Sequence, residues 1–211
     1  MTAQLSNKDD NSFLARARYS KGRKSLQAIL DATFEIVTTE GLAAASQDAI
    51  AKRANVTKSA VRHYFPTKQE LLLAFFTVGI ERLKSIIDEK LSQNAQHPRE
   101  KLLDIVATHY DWINDTDDIY YFESAAFWGR NPEFRNMREN WYQKMAGSYC
   151  ELVKEIHPEW SRHHCDNVSF QILTLILGGW ITMGSTRPTH QSRSIKSLKA
   201  TLLDGIENLI R

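Results

Sequence analysis

The chain has 211 residues, 42% of them hydrophobic, with 27 Lys and Arg against 25 Asp and Glu. That composition supplies a buried core for one large or two small domains and reads as an ordinary globular protein. The net charge of +2 does not by itself suggest a nucleic-acid partner, but its distribution does. Residues 16–68 hold ten basic and four acidic side chains, whereas residues 71–211 hold 16 basic and 18 acidic, so a basic head precedes a slightly acidic body. The longest apolar run, Val168 to Met183, contains Gln171 and Thr174 and is interrupted at Gly178-Gly179. It is too short and too mixed to span a membrane, and a buried helix is expected there. Cys150 and Cys165 form no C-x-x-C pattern and no signal peptide precedes them, which points to a reducing, cytoplasmic setting.

In chain order, Met1 to Asn11 is polar and without periodicity, so it is read as disordered. Positive charge gathers from Phe13 to Lys24. Residues 1–23 therefore form a basic arm, which either lies along a phosphate backbone or minor groove or is a solvated tail. Leu26, Leu30, Phe34 and Val37 recur at helical spacing, predicting a helix over Lys24–Glu40 that ends at Gly41. Ser46 caps a second helix, with Asp48 in its first turn and Ile50 and Ala54 on one face, ending near Asn55. Thr57 caps a third, whose inner face is fixed by Val61 and Phe65 at i, i+4. At 100° per residue from Val61, Ser59 and His63 point away from the core, flanked by Ala60 and Arg62. The expected head core is Leu30, Phe34, Val37, Leu42, Ile50, Ala54, Val61 and Phe65. Thr67-Lys-Gln-Glu70 has capping-box spacing and opens a fourth helix, leaving Lys68 beside its amide-rich end, a natural phosphate seat.

Two short capped helices joined by a tight turn, the second with an outer face of small and basic residues, make a helix-turn-helix. The stretch from Ala54-Asn-Val-Thr through Arg62-His-Tyr-Phe-Pro-Thr-Lys-Gln-Glu-Leu71 resembles the signature of TetR-family transcriptional regulators. In that signature an Ala-Gly-Val-Ser turn leads into a recognition helix ending in Tyr-Phe, followed by a Ser-Lys-Glu-x-Leu helix start. The likeness covers about residues 24–72 well and the remainder in layout. Asn55 stands where the family usually has Gly, which is tolerable because Asn also visits the left-handed region. Arg62 stands where many members carry a backbone-contacting Tyr, which leaves open whether Arg62 touches a base or a phosphate.

The fourth helix continues through Leu71, Phe75, Val78, Leu83, Ile86 and Leu91 without a breaker. Beyond it, breaks predict helices near Arg99–Asn114, Ile119–Trp128, Pro132–Ile156, Trp160–Gly184 and Ser192–Ile210. The fold class expected is all-α with about nine helices. The division expected is a basic arm over 1–23, a helix-turn-helix domain over 24–68 and a ligand-binding and dimerisation domain over 69–211.

Among candidate DNA contacts, Ser59, Ala60, Arg62 and His63 face the bases, and Thr57, Lys58, Tyr64 and Lys68 lie nearer the edges, toward phosphates. The aromatic residues Trp112, Tyr121, Phe122, Trp128, Trp141, Tyr142, Tyr149 and Trp180 are core by default. The resemblance implies an inducer pocket in the same body, and these residues are its candidate lining. His157, His163, His164 and Cys165 are not read as a metal site, because adjacent His163 and His164 on a helix point about 100° apart. No metal, cofactor or catalytic residue is expected, since no nucleophile elbow, phosphate loop or His-Glu-x-x-His motif is present. The reading is a regulator, expected to be a repressor released from a pseudo-palindromic double-stranded operator by a small-molecule effector. A homodimer through the last two helices is expected with it. The alternative is a DNA-bound architectural or partner-recruiting protein without an inducer.

Overall fold

The computed structural model describes residues 20–93, 97–115, 118–182 and 194–211, without the side chains of residues 20, 21, 115, 118–121, 180 and 195. Among these residues the chain forms nine α-helices and no strand: α1 Ser20–Glu40, α2 Gln47–Arg53, α3 Lys58–Tyr64, α4 Lys68–Ser92, α5 Pro98–Asp115, α6 Asp118–Arg130, α7 Pro132–Ile156, α8 Arg162–Thr182 and α9 Ile195–Leu209. The all-α expectation is met. The first nineteen residues of the basic arm lie outside the described residues. The first helix is already formed at Ser20, four residues before the start that its apolar spacing suggested, because Gly22 and the basic residues around it do not interrupt a helix anchored by Leu26 and Ile29.

The local chemistry accounts for the boundaries. Gly41, at φ +84, lets the chain leave α1, a conformation that an L side chain adopts only with strain. The Ser46 hydroxyl accepts from the Ala49 amide at 3.1 Å and opens α2. Asn55, at φ 52, closes it. There the Val56 amide donates to the Ala51 carbonyl at 3.0 Å and the Asn55 amide to Lys52 at 3.3 Å, the paired bonds of a left-handed helix stop. Thr57 accepts from the Ala60 amide at 3.1 Å to open α3, and Thr67 does the same for Glu70 at the start of α4. Pro132 opens α7 as expected, with the Asn131 side chain accepting from the Phe134 amide at 3.0 Å. α6 runs past Gly129 to Arg130 rather than stopping at that glycine.

The chain divides into two compact units. One comprises residues up to Arg82 together with Phe122–Phe134; the other comprises Leu83–Tyr121 and Arg135–Arg211. In the first unit α1, α2 and α3 pack on one another around Leu26, Ile29, Leu30, Val37, Ile50, Val61 and Phe65, all fully buried or nearly so. Phe34, Leu42 and Ala54, expected in that core, are only half-buried, since each lies at its margin. The core of this unit continues through Phe76, whose ring centroid lies 5.2 Å from that of Phe127 and 5.3 Å from that of Phe134. In the second unit α5, α8 and α9 pack together. Its surface is tied by Lys90–Asp104, Lys144–Asp88 and Lys199–Asp111 ion pairs at 2.6–2.7 Å. Its chain end is held where Arg99 and His157 both donate to the Ile210 carbonyl, at 2.6 and 2.9 Å.

Candidate nucleic-acid interface

α3 is a seven-residue helix whose inward side is Val61 and Tyr64. Its outward side is Ser59, Arg62 and His63, all exposed, with Ala60 half-exposed. Thr57 and Lys58 are exposed at its start. The periodicity that put Val61 inside therefore also carries Tyr64, one turn on, into the core. Tyr64 is buried to 7% exposure, not at the edge where a phosphate contact was expected. Its ring meets His63 edge-on at 5.1 Å between centroids. Lys68 also differs from expectation in its surroundings. Its ammonium donates to the main-chain carbonyls of Leu42 and Ala43, at 3.0 and 3.2 Å, so two of its three protons serve the connection between α1 and α2.

Neighbouring helices hold the cations of this surface. Lys58 Nζ lies 2.6 Å from Asp48 Oδ2, and Arg62 Nε donates to Gln47 Oε1 at 3.4 Å. Arg53 reaches Glu35 and Glu40 of α1, the latter at 2.8 Å. Gln47 carries no local mark of its role, because its partners lie 15 to 19 residues away. An exposed helix start with small residues and donors on one face, braced from behind, is what a major groove accepts.

The other sequence-derived candidates fall in both units. Phe122 and Trp128 belong to the first, Phe122 half-exposed and Trp128 partly covered and stacked on Phe134 at 6.1 Å. Trp112, Trp141, Tyr142 and Tyr149 belong to the second. The side chains of Tyr121 and Trp180 lie outside the described residues. Trp141 and Tyr149 are buried, Trp112 and Tyr142 half-buried. Burial raises the Tyr142 phenol to about 12, only partly offset by Arg138, whose guanidinium lies 5.7 Å from its ring. Sequence reasoning passed over the residue at the centre of this cluster. His109 of α5 is fully buried, its ring edge-on to Trp141 at 5.5 Å, its Nδ1 3.4 Å from the Tyr149 hydroxyl. Burial pushes its imidazole down to about 3, so it is neutral at ordinary pH. His109 Nε2 and Trp141 Nε1 are buried without a hydrogen-bond partner in the protein.

His163 and His164 are exposed on the first turn of α8, while His157 stacks on Trp160 at 3.8 Å. Among the described residues no group of His, Cys, Asp or Glu is arranged to hold a metal ion. Cys150 donates to Asp166 at 2.9 Å, and burial followed by that bond raises its thiol to about 12. Among the described residues no helix is long and apolar enough to cross a membrane.

The fold and the outward face of α3 define a helix-turn-helix DNA-binding protein. Residues 29–75 match the model of the bacterial regulatory proteins of the tetR family. The regulator BetI of Stenotrophomonas maltophilia is 26% identical over 134 residues, 63% of this chain and 68% of the relative. The regulator PksA of Bacillus subtilis is 30% identical over 107 residues, 49% of this chain and 52% of the relative. Among solved structures, a transcriptional regulator from Rhodococcus sp. RHA1 aligns with a TM-score of 0.70 at 19% identity, covering 88% of this chain and 96% of its own. One from Saccharomonospora viridis, solved in complex with choline, aligns with a TM-score of 0.71 at 16% identity, covering the same shares. The helix-turn-helix region of the chain is that of the tetR family, and the chain is a DNA-binding transcriptional regulator similar to members of that family.

Proposed function

We propose that the protein is a dimeric repressor that leaves its operator when a small molecule binds its second unit. The observation that carries the DNA reading is the exposed triad Ser59, Arg62 and His63 on a capped, internally braced α3. In this reading Ser59, Ala60, Arg62 and His63 meet base edges, while Thr57 and Lys58 hold phosphates. Two copies related by a two-fold axis meet a pseudo-palindrome, with recognition helices roughly 34–36 Å apart or a multiple of it.

Support for a dimer comes from α8. Phe170 and Ile181 are 68% and 70% exposed, and with Thr174, Leu177 and Gly178 they follow helical spacing along one face. A Cβ placed on Gly178 meets nothing within 4 Å, so that face is open to close approach. α9, expected at the interface together with α8, directs Leu202 and Ile206 into its own chain and leaves Leu198 and Leu209 half-buried. The dimer in this reading rests mainly on α8.

Support for an effector comes from His109, Trp141 and Tyr149, where two buried nitrogens without protein partners lie among aromatic faces. A hydrogen-bonding small molecule would satisfy them. It acts only by preferring one arrangement of the protein over another, since equal affinity shifts nothing. The choline complex of the Saccharomonospora regulator offers a first compound class to screen. Genome-wide footprinting tests the whole reading: bound sites should be pseudo-palindromes, and compounds related to neighbouring gene products should release the protein. Release only by another protein would favour the partner-recruiting alternative. Trp141→Ala should alter the dose response to an active compound while sparing DNA binding without it; an unchanged response removes Trp141 from the effector site.

A further inference from the structure

Gln47, the first residue of α2, uses both ends of its side-chain amide. Its Nε2 donates to the main-chain carbonyl of Phe65 at 2.7 Å, with the Pro66 carbonyl at 3.3 Å. Its Oε1 accepts from Arg62 Nε at 3.4 Å. The end of a helix leaves its last carbonyls without intrahelical partners, and Gln47 takes the one at the C-cap of α3. The two ends of the amide are not interchangeable here. Turned over, the amide would set its oxygen against two carbonyl oxygens and its NH2 against a guanidinium, which can only donate. The carbonyl of Phe65 thus dictates that an acceptor faces Arg62.

We propose that Gln47 is a positioning residue for sequence reading. It holds Arg62 by Nε, the one nitrogen not needed for a forked contact, and so sets the plane of the guanidinium on the outer face of α3. The two terminal NH2 groups then project as a fork, whose matching acceptor pair on a base edge is O6 and N7 of guanine. At 3.4 Å the bond is long, so its effect is on direction more than on stability. A second brace acts one residue on: Asp48 holds Lys58, which lies one turn before Arg62 on the same helix. Consecutive residues of α2 therefore meet two successive cations of α3 in the free protein. The proposal rests on α3 being the DNA-reading helix.

The test is selection from a random duplex library with the full-length wild type, Gln47→Ala, Gln47→Met, Arg62→Ala and the Gln47→Ala/Arg62→Ala pair, followed by titration on the selected and scrambled duplexes. Arg62→Ala should lose preference at one base of each half-site, and both Gln47 variants should lose it at the same base. Each single variant should bind the selected duplex roughly tenfold more weakly and the scrambled one as before. The double variant should match Arg62→Ala, because Gln47 acts through Arg62. Gln47→Met keeps the side chain's bulk should Gln47→Ala fold poorly. Retained preference at that base in both Gln47 variants, or equal weakening on both duplexes, overturns the proposal. So does an Arg62→Ala protein with no single altered base. A wild type that enriches no motif removes the reading of α3 itself, and this proposal with it.

Discussion

The ammonium of Lys68 donates to the carbonyl of Leu42 at 3.0 Å and so ties the start of α4 to the chain between α1 and α2. A lysine there reads from sequence as a phosphate contact, but its protons are largely committed inside the protein. Lys68→Met should lower stability by about 1 kcal/mol through loss of the two bonds to the Leu42 and Ala43 carbonyls. It should leave the salt dependence of DNA binding nearly unchanged, whereas Lys58→Met should reduce the salt slope by about one. Thermal denaturation and anisotropy titrations across salt concentrations separate the two. Wild-type melting in Lys68→Met would show that the bonds to Leu42 and Ala43 contribute nothing.

Lys58 pairs with Asp48 in the free protein, and in the proposed complex a phosphate would compete for it. Such an exposed pair is worth about 0–1 kcal/mol, small enough for DNA to replace it. Asp48→Asn should therefore tighten binding to every duplex a few-fold, selected or scrambled, and leave the discrimination between them unchanged. Weaker binding in this variant would instead assign Asp48 a necessary role in holding Lys58.

The exposed α8 face predicts a change of assembly. Phe170→Asp and Ile181→Asp should convert a two-fold species into one of 24.2 kDa, seen by light scattering, with little loss of helicity. A wild type that already scatters as 24.2 kDa rules out the dimer.

His109 gives the protein an acid limit. Unfolded, its imidazole binds a proton near the ordinary value of 6.5; folded, it does not until about 3. Between those values the unfolded chain holds the extra proton, so stability falls as pH falls, by up to about 1.4 kcal/mol per pH unit from this group. His109→Gln should flatten that limb in urea denaturation between pH 6 and 4, roughly the window this argument defines. A profile identical to wild type would mean that His109 takes up its proton in the folded state.

The parts of the fold that were legible from sequence are those governed by short-range chemistry. Ser46, Thr57, Thr67 and Pro132 each announce a helix start within four residues, and Asn55 and Gly41 each announce a left-handed stop. What escaped depends on residues far apart in the chain. Gln47 meets Phe65 only after α2 and α3 have packed, and His109, whose place one turn after Ile105 already sets it inward, carries no local mark that Trp141 and Tyr149 lie against it. The burial of Tyr64 is legible in the helical period, since its position one turn from Val61 sets it inward. α9 was expected at an interface because its apolar spacing is regular, but spacing cannot say whether the covering surface belongs to the same chain.

Phe76 is wholly buried, and Phe127 and Phe134 supply two of the rings against it. During synthesis Phe76 emerges well before those two rings exist, so the DNA-binding unit cannot close its core until residue 134 has left the ribosome. Until then a nascent chain carries an open aromatic surface at Phe75 and Phe76, the kind of site that chaperones engage. The same order bears on fragments. A piece ending at Arg82 contains every proposed DNA contact yet lacks part of its own core, and it should aggregate where the intact chain does not.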